Sequence, residues 1–410
     1  MTIKINVKEL LFESTVVLMC GFKFITFPFF AKFGLALLWI IYALSVTGMG
    51  SNKVATQTSR LVFVPYIIMF VIFPLQVLAN PVSGISFVSS VSRMVSQMLQ
   101  ACLTIGFAYA GFRLFGIDST RIFFRGLVVN NIIGVIWAIA KFGIGQFVMF
   151  VSNPFADVWN TWVAGGRISN ALELHEVTFT LGLFFISFFY SFYQNRKRRE
   201  IRKTYCVYLI ICAVLLYLGF KRIQFIGLVL MLAIYIVIKR RNKVRSIQFF
   251  DGVVWLGTTL FMYVYLEVIS TDIIARLAAQ YGINFMSRLG WFEKLTQYFS
   301  VTPFYFGRGW GTVSLIADML KQGVHNDIMR NYIDFGFLGF LAWISYYLAY
   351  IPYKLGHKST ETVKLYLLLI VYIMITYMTD NTFTYMIFQA SFIVIVMAEL
   401  EKSAREQINE

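Results

Sequence analysis

The residue types that bind phosphate and move protons crowd into one stretch, 304–339, which reads FYFGRGWGTVSLIADMLKQGVHNDIMRNYIDFGFLG. Gly307, Gly309 and Gly311 alternate around Arg308, leaving backbone N–H groups open to an anion or to a tight chain reversal. No strand pattern precedes the triplet, so it does not form a dinucleotide fingerprint. His325, Asn326 and Asp327 stand at the start of an apolar run. There, the free donors and dipole of a helix N-terminus suit phosphate oxygens. Asn326, Arg330 and Asp334 are four apart and share one helix face, and Asp327 reaches Arg330 or Asn331. This set offers a guanidinium fork for a phosphate, an imidazole for proton transfer and carboxylates to orient it. Arg330 with Asp334 also reads as a structural ion pair between helices, and Gly336 and Gly339 as positions for close helix packing.

Other cations lie where a membrane protein should have few. Arg167 follows Gly165 and Gly166, shortly before His175 and Glu176. Arg167 extends a cationic face, whereas His175 and Glu176 also read as a local pair or helix cap. Lys221 and Arg222 occupy a tight turn between the apolar runs 207–220 and 225–238. Arg288 and Lys294 lie in the long segment before His325. Lys and Arg near a span end often only snorkel to the interface, and that reading holds as well for Lys221 as a functional one.

The elements that position these residues are set by composition. Of 410 residues, 59% are hydrophobic and only 14% charged, against about a quarter charged in a soluble domain. So much apolar side chain needs lipid as its solvent. The net charge of +16 reflects retention of Lys and Arg on the cytoplasmic side of short loops rather than binding to nucleic acid. Cys20, Cys102, Cys206 and Cys212 all sit in apolar segments without a CxxC pair, as small hydrophobes. A bilayer core of about 30 Å needs roughly 20 helical residues. On that length, twelve spans fit near 10–29, 30–48, 61–79, 95–115, 124–151, 174–194, 203–220, 222–238, 249–270, 326–350, 362–379 and 382–400. The basic clusters at 196–203 and 239–245 orient them with both termini cytoplasmic. The chain is therefore expected to be an all-α polytopic membrane protein in three parts: nine spans over 1–270, an external loop over 271–325, and three spans over 326–410. Short helices are expected in the loop at 272–281 and 291–299, and a second, smaller external loop at 152–173.

The pattern resembles the bacterial O-antigen polymerase and O-antigen ligase family. The resemblance is carried by Arg288, Pro303, the turn Gly307-Arg308-Gly309, His325-Asn326, Asp334 and Gly336-Phe337-Leu338-Gly339, and more loosely by Lys221-Arg222 and the 165–180 region. Asp334 departs from the more usual Glu, and the early-middle Asn-rich signature is poorly kept, with only Asn170 and His175 near its place. The resemblance implies glycosyl transfer from an undecaprenyl-diphosphate-linked oligosaccharide to a hydroxyl of another glycan, on the periplasmic side of the inner membrane. It makes His325, Arg288, Arg330 and Asp334 the expected catalytic set. Arg167, Lys221, Arg222, Gly307, Arg308, Gly309, Asn326 and Asp327 are the expected substrate-binding residues. His325 takes the acceptor proton, and Asp334 or Asp327 orients it or holds the acceptor. No cofactor, metal or nucleotide is implied. Membrane lipids, a flippase and a chain-length regulator are the implied partners.

Polymerase is preferred, with two alternatives: a ligase that transfers the finished glycan to lipid A-core, and a lipid-linked oligosaccharide flippase. A transporter should show internal repeats or matching midplane polar residues. This chain instead concentrates its polar residues at the outer ends of late helices.

Overall fold

The computed structural model describes residues 6–22, 24, 28–48, 52–152, 175–241, 243–271, 273–281, 288–321 and 323–409. These residues are all-helical, with no strand among them. In chain order the helices are α1 (Val7–Cys20), α2 (Phe29–Thr47), α3 (Lys53–Ala79), α4 (Phe87–Phe115), α5 (Ser119–Phe142), α6 (Ile144–Ser152), α7 (His175–Gln194), α8 (Arg199–Gly219) and α9 (Arg222–Ile238). They continue as α10 (Val244–Ser270), α11 (Ile273–Tyr281), α12 (Arg288–Thr296), α13 (Thr312–Met319), α14 (Asp327–Ser345), α15 (Ile351–Gly356), α16 (Thr360–Tyr377) and α17 (Met386–Asn409). Among the described residues eight helical stretches are long and apolar enough to cross a membrane, and one of them, Phe87–Phe142, holds both α4 and α5. Apolar side chains such as Leu38, Val71 and Leu260 stand exposed on these helices, as lipid-facing residues must.

Glycines set the main departures from the expected spans. The first was expected over 10–29, but α1 stops at Cys20, where Gly21 turns out at φ 76° and donates to Leu18 O. Its 14 residues extend about 21 Å, short of a full crossing. The expected span 124–151 is broken at Gly143, φ 84°, into α5 and α6. α9 has 17 residues and falls into the shorter apolar class. α17 carries Glu399, Glu401 and Lys402 within its first eighteen residues.

The chain forms two compact units, each discontinuous in sequence. The first takes in 1–59, 103–236 and 384–410. In it α1 lies against α5 so closely that a Cβ at Gly126 would come 2.8 Å from Val16 Cγ1. Asn130 of α5 caps the end of α1, donating to Val17 O and Gly21 O at 3.1 and 2.9 Å. α7 and α8 approach over Gly219, where a Cβ would meet the Thr178 side chain at 2.6 Å. The second unit takes in 60–102 and 237–383 and holds the 304–339 stretch. Its α10 is tied to α14 by Trp255 Nε1, which donates to Ser345 Oγ at 3.0 Å. A π-helical turn, Tyr346–Tyr350, follows α14, and Tyr366 OH of α16 meets its Tyr347 O at 2.9 Å.

Candidate functional site

The site in the second unit is organised by a break in a helix. At Gly336 the backbone of α14 takes φ 73° and ψ −177°, which kinks it. In an unbroken helix Ile333 O and Asp334 O would accept from residues four further on. Here Arg308 N donates to Ile333 O and Gly309 N to Asp334 O, both at 2.9 Å, while Phe337 N turns to Tyr305 O at 2.8 Å. Gln76 of α3 bridges the two segments, its Nε2 donating to Phe306 O and Phe335 O, each at 2.9 Å. Tyr263 OH donates to Phe337 O at 2.8 Å, and Asn80 Nδ2 to Gly307 O at 3.1 Å. The backbone groups freed by the kink are thus met, which is what makes a broken helix tolerable at membrane depth.

The glycine turn owes its form to this docking. Gly307, Gly309 and Gly311 all have φ near 90° (91°, 93° and 93°). A Cβ on Gly307 would lie 2.6 Å from Gly336 N, and one on Gly336 would lie 2.3 Å from Phe306 C. Two backbones touch there. The Gly309 amide expected to face a phosphate is therefore committed to Asp334 O at a chain junction, while Gly307 packs directly against the Gly336 backbone. Tyr305 sits beneath the turn, donating to Ile333 O at 2.9 Å, and burial pushes its phenol up, so that it remains a donor.

Arg308 and Asp334 likewise brace the turn. Arg308 donates through Nε to Tyr298 O at 3.0 Å, and through Nη1 to Asn80 O and Pro81 O at 3.2 Å each. Asp334, expected to orient the imidazole or hold the acceptor, is fully buried. Its two oxygens accept from Gly311 N at 2.7 Å and Val313 N at 2.9 Å, capping the start of α13 from a distance in sequence. A carboxylate in that position complements the free amides and the dipole of the helix.

The polar residues that remain gather at the N-terminus of α14. Asn326 is its N-cap, accepting from Met329 N at 3.0 Å, and its amide donates to Tyr265 OH at 2.9 Å. Asp327 is fully buried. Its Oδ2 accepts from Phe383 N at 2.6 Å, and its Oδ1 has no hydrogen-bond partner among the described residues, with Arg330 Nη1 3.9 Å away. Arg330 donates to Ser314 Oγ of α13 at 2.9 Å and is 9% exposed. His325, by contrast, is 48% exposed, with Nδ1 4.0 Å from Oδ1 of the buried Asp380. That spacing is ion-pair reach rather than a hydrogen bond.

The expected residues divide accordingly. His325, Asn326, Asp327, Arg330, Asp334, Arg308, Gly307 and Gly309 come together in the second unit. Arg288 opens α12, but its side chain lies outside the described residues, as does that of His175. Arg167 lies outside them altogether. Lys221 and Arg222 belong to the first unit, at a sharp reversal where Phe220 adopts φ 38°. Lys221 Nζ sits 6.0 Å from the Phe179 ring centroid, and Arg222 is exposed at the start of α9. Sequence reading missed Asp380, Gln76, Asn80, Gln97 and Ser314. Gln76 and Asn80 are four apart near the end of an apolar helix, as are Arg93 and Gln97 near the start of another, and that spacing was the available signal. Among the described residues no group of three or more His, Cys, Asp and Glu is placed to hold a metal ion. The chain matches no known family model and no curated protein.

Proposed function

We propose that this chain polymerises oligosaccharide repeat units carried on a polyprenyl diphosphate, by glycosyl transfer at the outer face of a bacterial inner membrane. The observation that carries this reading is the placement of His325. It is a half-exposed imidazole 4.0 Å from a buried carboxylate, at the start of a helix whose next turn presents Arg330. The family resemblance of 285–340 supports it. So does the basic cluster at 239–245: held on the cytoplasmic side, it would put 304–325, beyond α10, on the external side.

In this reaction the acceptor hydroxyl oxygen attacks the anomeric carbon of the donor. The new glycosidic C–O bond forms as the C–O bond to the diphosphate breaks, and that electron pair leaves on the diphosphate. The hydroxyl proton passes to the His325 imidazole. Asp380 faces the imidazolium that forms and stabilises it. Arg330, one turn from the helix start, balances charge developing on the leaving diphosphate, with the N-terminal dipole of α14 acting in the same sense. Asp334 serves by holding α13 and the glycine turn, so its part is positional. No nucleotide is needed, because the diphosphate leaving group carries the driving force. A flippase that delivers the donor and a regulator of chain length are the partners such a reaction requires.

The test is purified protein supplied with lipid-linked repeat units alone, and then with lipid A-core added. A ladder of products in the first mixture is the expected result. Product only in the second would assign a ligase, and product in neither, with donor moved across a sealed vesicle, would assign a flippase.

A further inference from the structure

One more guanidinium enters this cluster, from a helix that the motifs do not touch. Arg93, near the start of α4, forms an ion pair with Asp318 of α13. One turn further along α4, Gln97 donates to Ser314 Oγ at 3.2 Å, the hydroxyl that also accepts from Arg330 at 2.9 Å. A Cβ at Gly311 would lie 3.1 Å from Arg93 Cγ, and the Gly311 N–H is the one that Asp334 accepts. Ser314 and Asp318 are four apart on α13 and so share a face. Arg330 thus reaches α13 at one turn and Arg93 at the next.

We propose that Arg93 is a second phosphate-binding arginine of this site, and that Asp318 is a displaceable internal partner which a diphosphate replaces. This rests on the reading of the site given under Proposed function. Three features argue for displacement. The Asp318 side chain is 65% exposed and that of Arg93 36%, so water weakens the pair. Asp318 is the next-to-last residue of α13, where the partial negative charge of the helix end opposes a carboxylate. A diphosphate brings more charge and oxygens that match the guanidinium fork. Asp318 and a phosphoryl group therefore compete for one cation.

A fixed strut and a displaceable partner predict opposite signs for one substitution. The experiment measures the affinity of the purified full chain for undecaprenyl diphosphate and for inorganic diphosphate, with thermal unfolding recorded for each variant. Arg93→Gln is expected to weaken both ligands by tenfold or more, and Arg93→Lys to weaken them less. Asp318→Asn is expected to tighten both several-fold, because the competing carboxylate is gone. Unchanged affinity in Arg93→Gln, weaker affinity in Asp318→Asn, or an effect confined to the lipid ligand would overturn the proposal while leaving the His325 site standing. Wild-type protein that binds neither ligand would overturn the proposal together with the site reading.

Discussion

At the scale of single residues, the proposed reaction assigns chemistry and support to different acids. Asp334 spends both oxygens on the amides of Gly311 and Val313. Asp380 lies beside the exposed imidazole of His325. Replacing His325 with Ala should leave the protein abundant and inserted, while turnover falls by about 10²–10⁴, the usual contribution of a general base. Normal glycan ladders from that variant would remove His325 from the chemistry. Asp334→Asn turns one acceptor into a donor that faces a backbone N–H. It should cost about 1–3 kcal/mol of stability, read as a lower thermal midpoint, with turnover per folded molecule close to wild type. A selective loss of turnover at unchanged stability would instead put Asp334 in the reaction. Asp380 is also buried and its Oδ1 accepts from Asn381 N at 2.9 Å, so Asp380→Asn should lower stability too, but with turnover per folded molecule reduced as well.

At the scale of elements, the decisive feature is the junction between the glycine turn and the kink in α14. Gly336 combines a left-handed φ of 73° with a neighbouring backbone carbon 2.3 Å from where a Cβ would stand. Backbone cannot step aside as a flexible side chain can. Gly336→Ala should therefore destabilise by about 3 kcal/mol or more, and Gly307→Ala, which meets Gly336 N at 2.6 Å, should behave alike. Proteolysis or thermal unfolding in detergent would show it, and wild-type stability in either variant would contradict the junction. Arg308→Lys belongs to the same scale. A lysine cannot span the carbonyls of Tyr298, Asn80 and Pro81 as the guanidinium does, so the variant should loosen the turn and leave phosphate affinity less affected than Arg330→Lys does.

For the whole molecule, the apolar helices and basic clusters make a topological prediction within the second unit. Single cysteines placed at Arg240 and at Phe304, both exposed, in a background lacking the four native cysteines, should react with impermeant maleimide from opposite sides of the membrane. The Phe304 position should label from outside. Labelling of both from one side would remove the orientation on which an external reaction depends.

The sequence by itself determined that this chain is all-helical and made for lipid. That signal is carried by the length of the apolar runs and by their charged borders, and neither depends on what packs against what. It also brought His325, Asn326, Asp327 and Arg330 to one helix start, since residues within five positions of each other stay within about a turn and a half of helix. Tertiary structure alone decided which carboxylate lies beside His325, because Asp380 is fifty-five positions away in the chain and nothing local ties it to residue 325. The same holds for the break at Gly336. A glycine in an apolar run reads as a packing position, and only the arrival of Tyr305–Gly309 with matching donors and acceptors makes a broken helix the lower-energy form.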